Sequence, residues 1–452
     1  MQEAAPRREL NFLQTTSIII GAVIGSGVFI NLPIVAKFGG SPLLSVLVWL
    51  LGGLLWIPQI LILAEMGTAY PNQGGPYFYL YKAGSPFLAF LYTWTAFLTS
   101  DTPTITIIGL TAASAMKYFF PQLAIPLYAR IFASVLIMLL AYIQYRSVKL
   151  GGNFQVLLSI TKVMPLILLI AIGMFYIGSG NLAAPKSTVP EGGSFFGSIT
   201  AGISSTLWAY AGFLNILYMA GEVKNPGRNL PRSLVWSIAF VIIVYTFVSL
   251  CTSAIVPFSN LISASGEFIN PFSYLGMFSG YAGPFFAITA FISMIGVLNS
   301  VIMTQPRLEY AMARDKLFFQ SFGHLHPKYL TPDYSIFIQT GLSIVLFLLG
   351  DIQNMLGYFT LSYVLQNALV YGAIYFLRKR PDYNPSFKTK LWQFWAAFSI
   401  LIQLYIAWGS FMAYPSAGLF ASLGLIITGL PVYRYFYSAK KTLQAESLEE
   451  IR

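Results

Sequence analysis

Long apolar runs dominate the chain, and short polar stretches separate them. A helix needs about 20 apolar residues to cross a hydrocarbon core about 30 Å thick. A window of that length predicts twelve transmembrane helices, and therefore an all-α polytopic membrane protein. The predicted spans run from Leu13 to Phe38, Leu43 to Met66, Phe87 to Met116, Leu127 to Tyr145, Phe154 to Tyr176, Gly197 to Ala220, Leu234 to Val256, Tyr281 to Met303, Ile336 to Leu349, Met355 to Leu377, Phe394 to Met412 and Ala417 to Tyr433.

Composition and charge agree with a chain that lies mainly in lipid. Of the 452 residues, 56% are hydrophobic and 9% are charged, whereas soluble domains average about 25% charged residues. Nearly all of the 26 lysines and arginines fall on one side of the predicted spans. The exceptions are Lys37, Lys117, Arg130 and Lys186 on the other side and Lys162 within a span. The positive-inside rule then predicts cytoplasmic N- and C-termini, and it accounts for the net charge of +11 without a nucleic-acid partner.

The residues of enzyme and metal sites are scarce in this sequence. Cys251 is the single cysteine, and the two histidines, His324 and His326, stand beside a proline. We therefore expect no disulfide framework, no metal centre and no cofactor. No catalytic cluster or nucleotide-binding loop is apparent, because Gly25-Ser26-Gly27 lacks the lysine of a phosphate-binding loop. An enzyme or a channel is thus poorly supported.

Small residues interrupt two predicted helices. The first contains Ile24-Gly25-Ser26-Gly27-Val28-Phe29 and the sixth contains Trp208-Ala209-Tyr210-Ala211-Gly212-Phe213. A single segment of this kind is usually a close helix–helix contact. Two of them in corresponding positions of two five-helix halves indicate a transporter site built from inverted repeats. We therefore predict one transmembrane domain, with repeats at residues 13–178 and 197–377 and two extra helices within residues 392–437.

An interrupted membrane helix has a chemical consequence. Unwinding frees backbone N–H and C=O groups, which must then line a protein-walled cavity. Free amides at the start of a half-helix suit a carboxylate, and free carbonyls suit an ammonium group. An α-amino acid carries both groups, so it is the expected substrate class.

With these motifs in place, the chain resembles the L-amino acid transporter (LAT) family of the amino acid–polyamine–organocation superfamily. The resemblance covers nearly the whole chain and implies a LeuT-type 5+5 fold with discontinuous helices 1 and 6. It also implies sodium-independent exchange of amino acids across the plasma (inner) membrane. Besides the two interrupted segments, its markers are Ala64-Glu65-Met66-Gly67-Thr68, Pro71-Asn72-Gln73-Gly74-Gly75-Pro76-Tyr77, Gly221-Glu222-Val223-Lys224-Asn225-Pro226 and Leu230-Pro231-Arg232.

The resemblance also implies roles for particular residues. Gly25, Ser26 and Gly27 would hold the substrate carboxylate, and Trp208 would be an aromatic gate. Carbonyls near Ile20 and around Trp208 and Tyr210 would take the substrate amine. The remaining substrate-binding positions are Ile24, Ala209 and Ala211. The chain departs from the family at Phe213, where tryptophan is common, and at Met219-Ala220-Gly221-Glu222, which lacks the usual paired acids. No cysteine stands between Met116 and Leu127, so we expect a prokaryotic chain without a disulfide-linked heavy subunit.

Lys162 is the most unusual charge, since it lies inside the fifth predicted span. A lysine at the centre of a membrane helix costs about 2.5–3.5 kcal/mol. Its side chain either snorkels to the cytoplasmic surface or serves a function. In the family, this lysine projects towards the unwound part of helix one, where it would bond the carbonyls of Gly21 or Ala22 and replace a sodium ion. Tyr245 either meets Lys162 or simply packs among helices.

Asp101 is the second unusual charge, near the middle of helix three beside Thr102-Pro103. Asp101 and Thr102 are candidate specificity residues. Alternatively, Asp101 is a proton acceptor, or an acid satisfied by Ser100, Thr99 or Thr104. Asn299 and Ser293 are weaker candidates for the former cation site. We expect Glu65 and Glu222 to form structural salt bridges with nearby Lys82, Lys224 or Arg228.

The sequence therefore favours an exchanger of L-amino acids, most plausibly small or medium neutral ones, that works by alternating access. The alternative is a proton-coupled amino-acid symporter that uses Asp101 or Lys162 as its titrating group. The expected partners are the substrate and the lipid bilayer.

Overall fold

The structure is a computed structural model that describes residues 6–25, 27–178, 181–183, 195–264, 268–349, 352–413 and 424–440. Within these ranges the protein is helical, and the described residues form no β-sheet. Two isolated β-bridges, Leu10 with Val223 and Gln73 with Met219, join loop segments to the stretch at residues 219–223. Ser26 and the beginning of the twelfth predicted span lie outside the described residues.

The helices follow the predicted order. Those of the first half are α1 Phe12–Val23, α2 Gly27–Gly39, α3 Pro42–Leu54, α4 Trp56–Ala69, α5 Gly75–Lys82, α6 Pro86–Thr95, α7 Thr102–Ala115, α8 Pro126–Arg146 and α9 Val148–Met174. Those of the second half are α10 Phe195–Ala209, α11 Asn215–Tyr218, α12 Pro226–Ile255, α13 Phe258–Ser263, α14 Ser279–Thr304, α15 Pro306–Arg314, α16 Asp333–Leu349 and α17 Ile352–Leu377. Two helices complete the chain, α18 Trp392–Ala413 and α19 over residues 424–440.

Several helices are long and apolar enough to cross a membrane. Among the described residues there are five when α3 with α4 and α14 with α15 are each taken as one helix, or six if α1 and α2 also form one bent span. α8 exposes Leu127, Ile131, Val135, Leu139 and Tyr142, whose spacing of three or four residues places them on one face. An exposed apolar stripe of this length suits lipid and not water. The count of twelve spans stays a prediction.

The third predicted span is not one continuous α-helix. A π-helix, Ala96–Asp101, separates α6 from α7. Pro103 stands at the start of α7, and its ring cannot continue the hydrogen-bonding of the turn before it. A π-bulge is rare and often lies at a functional site. Here it ends on Asp101, and the side chain of this residue is buried.

α1 occupies the centre of the helical array. It packs against α9, α12 and α14, while α2 packs against α10 and α3. The interrupted first segment is therefore surrounded by protein, as an opened backbone within a membrane requires.

Candidate functional site

The first interrupted segment separates two helices whose axes differ by 48°. α1 ends at Val23, and Ile24 has an extended backbone with φ −77° and ψ 103°. The last helical hydrogen bond runs from the Ile24 amide to the Ile20 carbonyl, at 2.9 Å. α2 then begins at Gly27. Since the first amides of a helix have no partner within that helix, its start can supply donors to a ligand.

The glycines of this segment lie at tight helix contacts. A Cβ on Gly25 would come 3.1 Å from Val297 in α14, and one on Gly27 would come 3.3 Å from the Cα of Ala209 in α10. Both residues therefore also serve the close packing that small residues permit. Their predicted role in carboxylate binding stays a prediction.

The Lys162 side chain reaches the end of α1 from α9. It is buried, and its Nζ donates to the carbonyl of Gly21 at 2.8 Å and to that of Ile24 at 2.5 Å. Snorkelling to the surface is therefore wrong. Gly21 was an expected partner, but the second is Ile24 and not Ala22, because the extended backbone after Val23 turns away from the helical path. The absence of a side chain on Gly296 leaves room, since a Cβ there would lie 3.3 Å from the lysine Nζ.

Hydroxyl groups supply further donors to the α1 carbonyls. Ser159 Oγ donates to Ser17 O and Ser300 Oγ to Ile18 O, both at 2.9 Å. Tyr245 OH donates to Val23 O at 3.2 Å. Ser293 Oγ approaches Ile24 O at 3.5 Å. We call the donors Lys162, Tyr245, Ser159, Ser293 and Ser300 the helix-1 cluster.

Tyr245 and Asn299, two further candidates for this region, have defined hydrogen-bond partners. Tyr245 bonds the end of α1 and packs on Trp49 and Tyr210, with ring centroids 5.5 and 5.1 Å away. Asn299 accepts from Gln144 at 2.7 Å and donates to Gln155 at 2.6 Å. Its amide is therefore committed to a bridge between α8, α9 and α14.

Asn299 approaches helix one only indirectly. A Cβ on Gly21 would come 1.9 Å from Gln155 Nε2, so it is Gln155 that lies against α1. The idea that the Asn299 amide directly faces the former cation site does not fit this arrangement.

The sixth predicted helix comprises two helices in the structure. α10 ends at Ala209, and α11 begins at Asn215. Gly212 has φ +121°, a conformation that favours glycine. A Cβ there would come 3.0 Å from the Ala22 carbonyl, so this turn lies directly against the end of α1.

The structure describes the side chains of Tyr210 and Phe213 near this turn, but not that of Trp208. Tyr210 is buried, and its hydroxyl donates to Trp49 O at 3.1 Å. Phe213 packs on Trp56 with ring centroids 5.9 Å apart. Ala211 is half-buried at the turn. The Trp208 backbone lies in the last turn of α10, but its side chain is outside the described part of the chain.

Asp101 is buried among neutral groups. Ser100 Oγ approaches Asp101 Oδ1 at 3.3 Å, and Gln305 Nε2 donates to it at 3.2 Å. Of the three hydroxyls expected to satisfy this acid, Ser100 is the one that contacts it, although it also donates to Ala96 O at 3.1 Å. The hydroxyls of Thr99 and Thr104 bond backbone carbonyls. The Thr102 hydroxyl is buried without a hydrogen-bond partner.

Glu222 joins the ends of several segments after α11. Its carboxylate accepts from Arg307 Nε at 2.9 Å and from Gln73 Nε2 at 3.0 Å. Its carbonyl accepts from the amides of Glu9 and Leu10. The Glu222–Arg307 ion pair is fully buried. A salt bridge was expected here, but its partner comes from α15 and not from Lys224 or Arg228.

Glu65 forms a second ion pair, with a partner that sequence spacing did not indicate. Its two oxygens accept from Arg378 Nε and Nη2, each at 2.7 Å. Tyr383 OH and the Thr389 amide donate to the same carboxylate at 3.0 and 2.7 Å. Lys82 pairs instead with Asp382 at 3.4 Å. In this surface group, the Arg380 guanidinium holds the pKa of Asp382 below its usual range.

A cavity of about 300 Å³ lies towards the end of α14 remote from the Glu222–Arg307 pair. Its lining includes Thr111, Ser114, Asn270, Phe286 and Met294. The Met294 methyl lies 3.7 Å from where a Gly25 Cβ would be. The cavity therefore extends to the neighbourhood of the first interrupted segment, and its volume suits a small molecule.

Comparisons with known proteins agree over almost the full length. The family model described as amino acid permease matches residues 10–433. The serine/threonine exchanger SteT of Bacillus subtilis (strain 168) is 27% identical over 445 residues, which cover 96% of this chain and 97% of that protein. Asc-type amino acid transporter 1 of Homo sapiens is 25% identical over 446 residues, with 96% and 83% covered. The b(0,+)-type amino acid transporter 1 of Mus musculus is 25% identical over 433 residues, with 95% and 88% covered.

Proposed function

The chain belongs to the amino acid permease family, whose members are transporters and not enzymes, and from that premise we propose that it is a sodium-independent exchanger of L-amino acids. The predicted LAT-type membership is confirmed by the same relatives. The proposed substrates are small or medium neutral amino acids. The similarity to a serine/threonine exchanger supports this size class.

The observation that carries the proposal is the position of Lys162. Its ammonium group donates to two carbonyls at the interrupted end of α1, where it supplies the positive charge that a bound cation would bring. Because this charge is tethered to the chain, transport needs no sodium gradient to occupy the position.

The substrate would lie beside this lysine, between the ends of α1 and α10. We propose that the amides at Gly25, Ser26 and Gly27 bind its carboxylate, since the start of α2 has uncommitted donors. Carbonyls of Ile20 and the Trp208–Ala211 segment would accept from its amine, with Ile24 beside the substrate. The Ile20 carbonyl already accepts one amide, and its second lone pair is available.

The proposed architecture is a twelve-span, LeuT-type 5+5 repeat in the inner membrane with both termini in the cytoplasm. The openings after Val23 and Ala209 support it, since they fall in the first helix of each proposed half. The one-sided distribution of basic residues supports the orientation. A disulfide-linked heavy subunit is not part of the proposal, because the single cysteine, Cys251, is buried in α12.

Counterflow in proteoliposomes tests this function. Purified protein is reconstituted with one unlabelled amino acid inside, and the uptake of labelled serine is followed without sodium. An exchanger takes up label only into vesicles loaded with a substrate, and a screen of twenty loaded amino acids defines the substrates. Accumulation into empty vesicles under a pH gradient would instead show proton-coupled symport.

A further inference from the structure

A second buried polar cluster lies apart from Lys162, where α7, α15 and α16 meet. Asp101 ends the π-helix, Gln305 links α14 to α15, Glu309 lies in α15 and Gln339 in α16. Gln305 Nε2 donates to Asp101 Oδ1, and Gln339 Nε2 donates to Glu309 Oε1, both at 3.2 Å. We call these four residues the acid–amide cluster. None of them is more than 3% exposed.

The acid–amide cluster contains more hydrogen-bond acceptors than its donors can satisfy. Asp101 Oδ2, Glu309 Oε2, Gln305 Oε1 and Gln339 Oε1 are all buried without a hydrogen-bond partner. Buried polar atoms are nearly always hydrogen-bonded, and each unmade bond costs about 1–3 kcal/mol. Both amide side chains bond the acids through their nitrogens, so their uncommitted oxygens belong to the same cluster. Gln305 and Glu309 are four residues apart, one helical turn at the start of α15, so the two pairs are neighbours. Orphaned oxygens in both pairs indicate missing donors.

No positive charge compensates the two acids. In the part of the chain that the structure describes, neither Asp101 nor Glu309 forms an ion pair with a lysine, arginine or histidine. On α15, Arg307 is paired with Glu222, and on α16, Asp333 is paired with His324. The other titratable or charged groups on the elements packed around the cluster, among the described side chains, are Tyr77, Tyr79, Tyr81 and Lys82 of α5, Tyr92 of α6, Tyr128, Arg130, Tyr142, Tyr145 and Arg146 of α8, Tyr281 of α14, Tyr310 and Arg314 of α15, Tyr334 of α16 and Tyr371 and Tyr375 of α17. Two ionised carboxylates in such surroundings would be strongly unfavourable.

We propose that Asp101 and Glu309 form a proton-binding site that holds two protons in this conformation. A protonated carboxylic acid has one O–H donor in addition to its acceptors. One proton on each acid therefore turns its orphaned oxygen into an O–H donor. The two orphaned amide oxygens, of Gln305 and Gln339, remain as acceptors for these two donors. A metal ion fits less well, since hard cations such as Ca²⁺ and Mg²⁺ take six or more oxygen ligands.

The site has a consequence for transport, and this part rests on the proposed function. When the pH rises, –COOH becomes –COO⁻ and the proton leaves to bulk water. The remaining carboxylate oxygen then has no donor, so the packing of the π-helix against α15 and α16 weakens. Exchange should therefore fall at alkaline pH, by about tenfold for each pH unit above the transition for a single proton.

Infrared spectroscopy of the reconstituted wild-type protein tests the site without relying on transport. A difference spectrum between mildly acidic and strongly alkaline pH should show loss of a protonated carboxylic C=O band that shifts in D₂O. Asp101→Asn and Glu309→Gln should each remove part of that band. Asp382→Asn, at an exposed acid, is the matched control and should leave it unchanged. Absence of any such band in the wild-type protein would overturn the proposal.

Counterflow on the same preparations separates this proposal from the proposed function. Wild-type exchange should decline at alkaline pH, and the decline should be absent or shifted in Glu309→Gln. Exchange that depends on sodium and loses that dependence in Asp101→Asn would instead show a cation site and contradict the proton assignment. Failure of exchange at every pH, with the infrared band present, would refute the proposed function while leaving the proton site intact.

Discussion

The two buried polar clusters of this protein both contain an excess of hydrogen-bond acceptors, but they differ in where the donors come from. At the end of α1 there is an excess of acceptors in the form of backbone carbonyls, and Lys162, Tyr245 and three serines bring donors to them. In the acid–amide cluster the acceptors are side-chain oxygens, and the donors to the two acids among the described side chains are two amide nitrogens and the Ser100 hydroxyl. In the helix-1 cluster the chain itself supplies the hydrogen-bond donors, whereas the acid–amide cluster needs protons from bulk water.

The difference shows what each cluster can do. A tethered ammonium group can move with α9 but cannot leave. The hydrogen bonds of the helix-1 cluster can therefore change with conformation without the binding or release of an ion. A proton can leave, so the acid–amide cluster can respond to pH.

Replacing Lys162 should have the largest effect. Lys162→Ala removes the ammonium group that donates to the Gly21 and Ile24 carbonyls, so we expect exchange to be abolished in counterflow while membrane expression persists. Lys149→Ala, at an exposed lysine of the same helix, is the matched control and should exchange at the wild-type rate. Wild-type uptake by Lys162→Ala would remove this residue from the mechanism.

The Glu222–Arg307 pair should give the largest effect on stability. Glu222→Gln leaves a fully buried guanidinium without its counter-charge, and breaking a buried pair costs about 3–5 kcal/mol. Thermal unfolding in detergent should therefore occur at a clearly lower temperature. An unchanged unfolding temperature would mean that Arg307 finds another partner, contrary to the arrangement described here.

Tyr245→Phe should give an intermediate effect. It removes the donor to Val23 O and leaves that buried acceptor unsatisfied, which costs about 1–3 kcal/mol. We expect a partial loss of exchange with the substrate profile retained. Tyr281→Phe, on an exposed tyrosine of α14, should be silent in the same assay. Equal behaviour of the two variants would show that Tyr245 only packs.

Glu309→Gln should have the smallest effect on stability, although it is chemically the same change as Glu222→Gln. If Glu309 is already neutral, an amide replaces a carboxylic acid of similar shape, and the change should stay within about 1 kcal/mol. The comparison of the two glutamates in one unfolding experiment is direct. A loss as large as that of Glu222→Gln would indicate an ionised Glu309.

Much of the fold could be predicted from the sequence because apolar length and small residues act locally. The openings in helices one and six coincide with the glycine-bearing motifs around Gly25 and Gly212, where backbone conformation and close packing both require small residues. The π-helix before Thr102 was not predicted. A π-bulge leaves almost no local pattern, and Pro103 alone indicates only a weakened turn.

The site was predictable only where a residue was conspicuous by itself. Lys162 stood out because a lone charge inside a span needs an explanation. Arg307 and Glu309 did not, since they follow the apolar run that ends at Met303 and read as loop residues. Their burial depends on partners far away in sequence, Glu222 and Gln339, and such pairings cannot be obtained from spacing. Polar residues such as Gln339 inside an apolar segment were the available signal.

The most direct test of the central claim measures labelled amino-acid counterflow with and without sodium in wild-type proteoliposomes. We expect saturable uptake that requires substrate inside and is the same under both conditions, because the Lys162 ammonium already occupies the position a cation would take. Uptake that requires a sodium gradient, or that proceeds into vesicles without internal substrate, would contradict it.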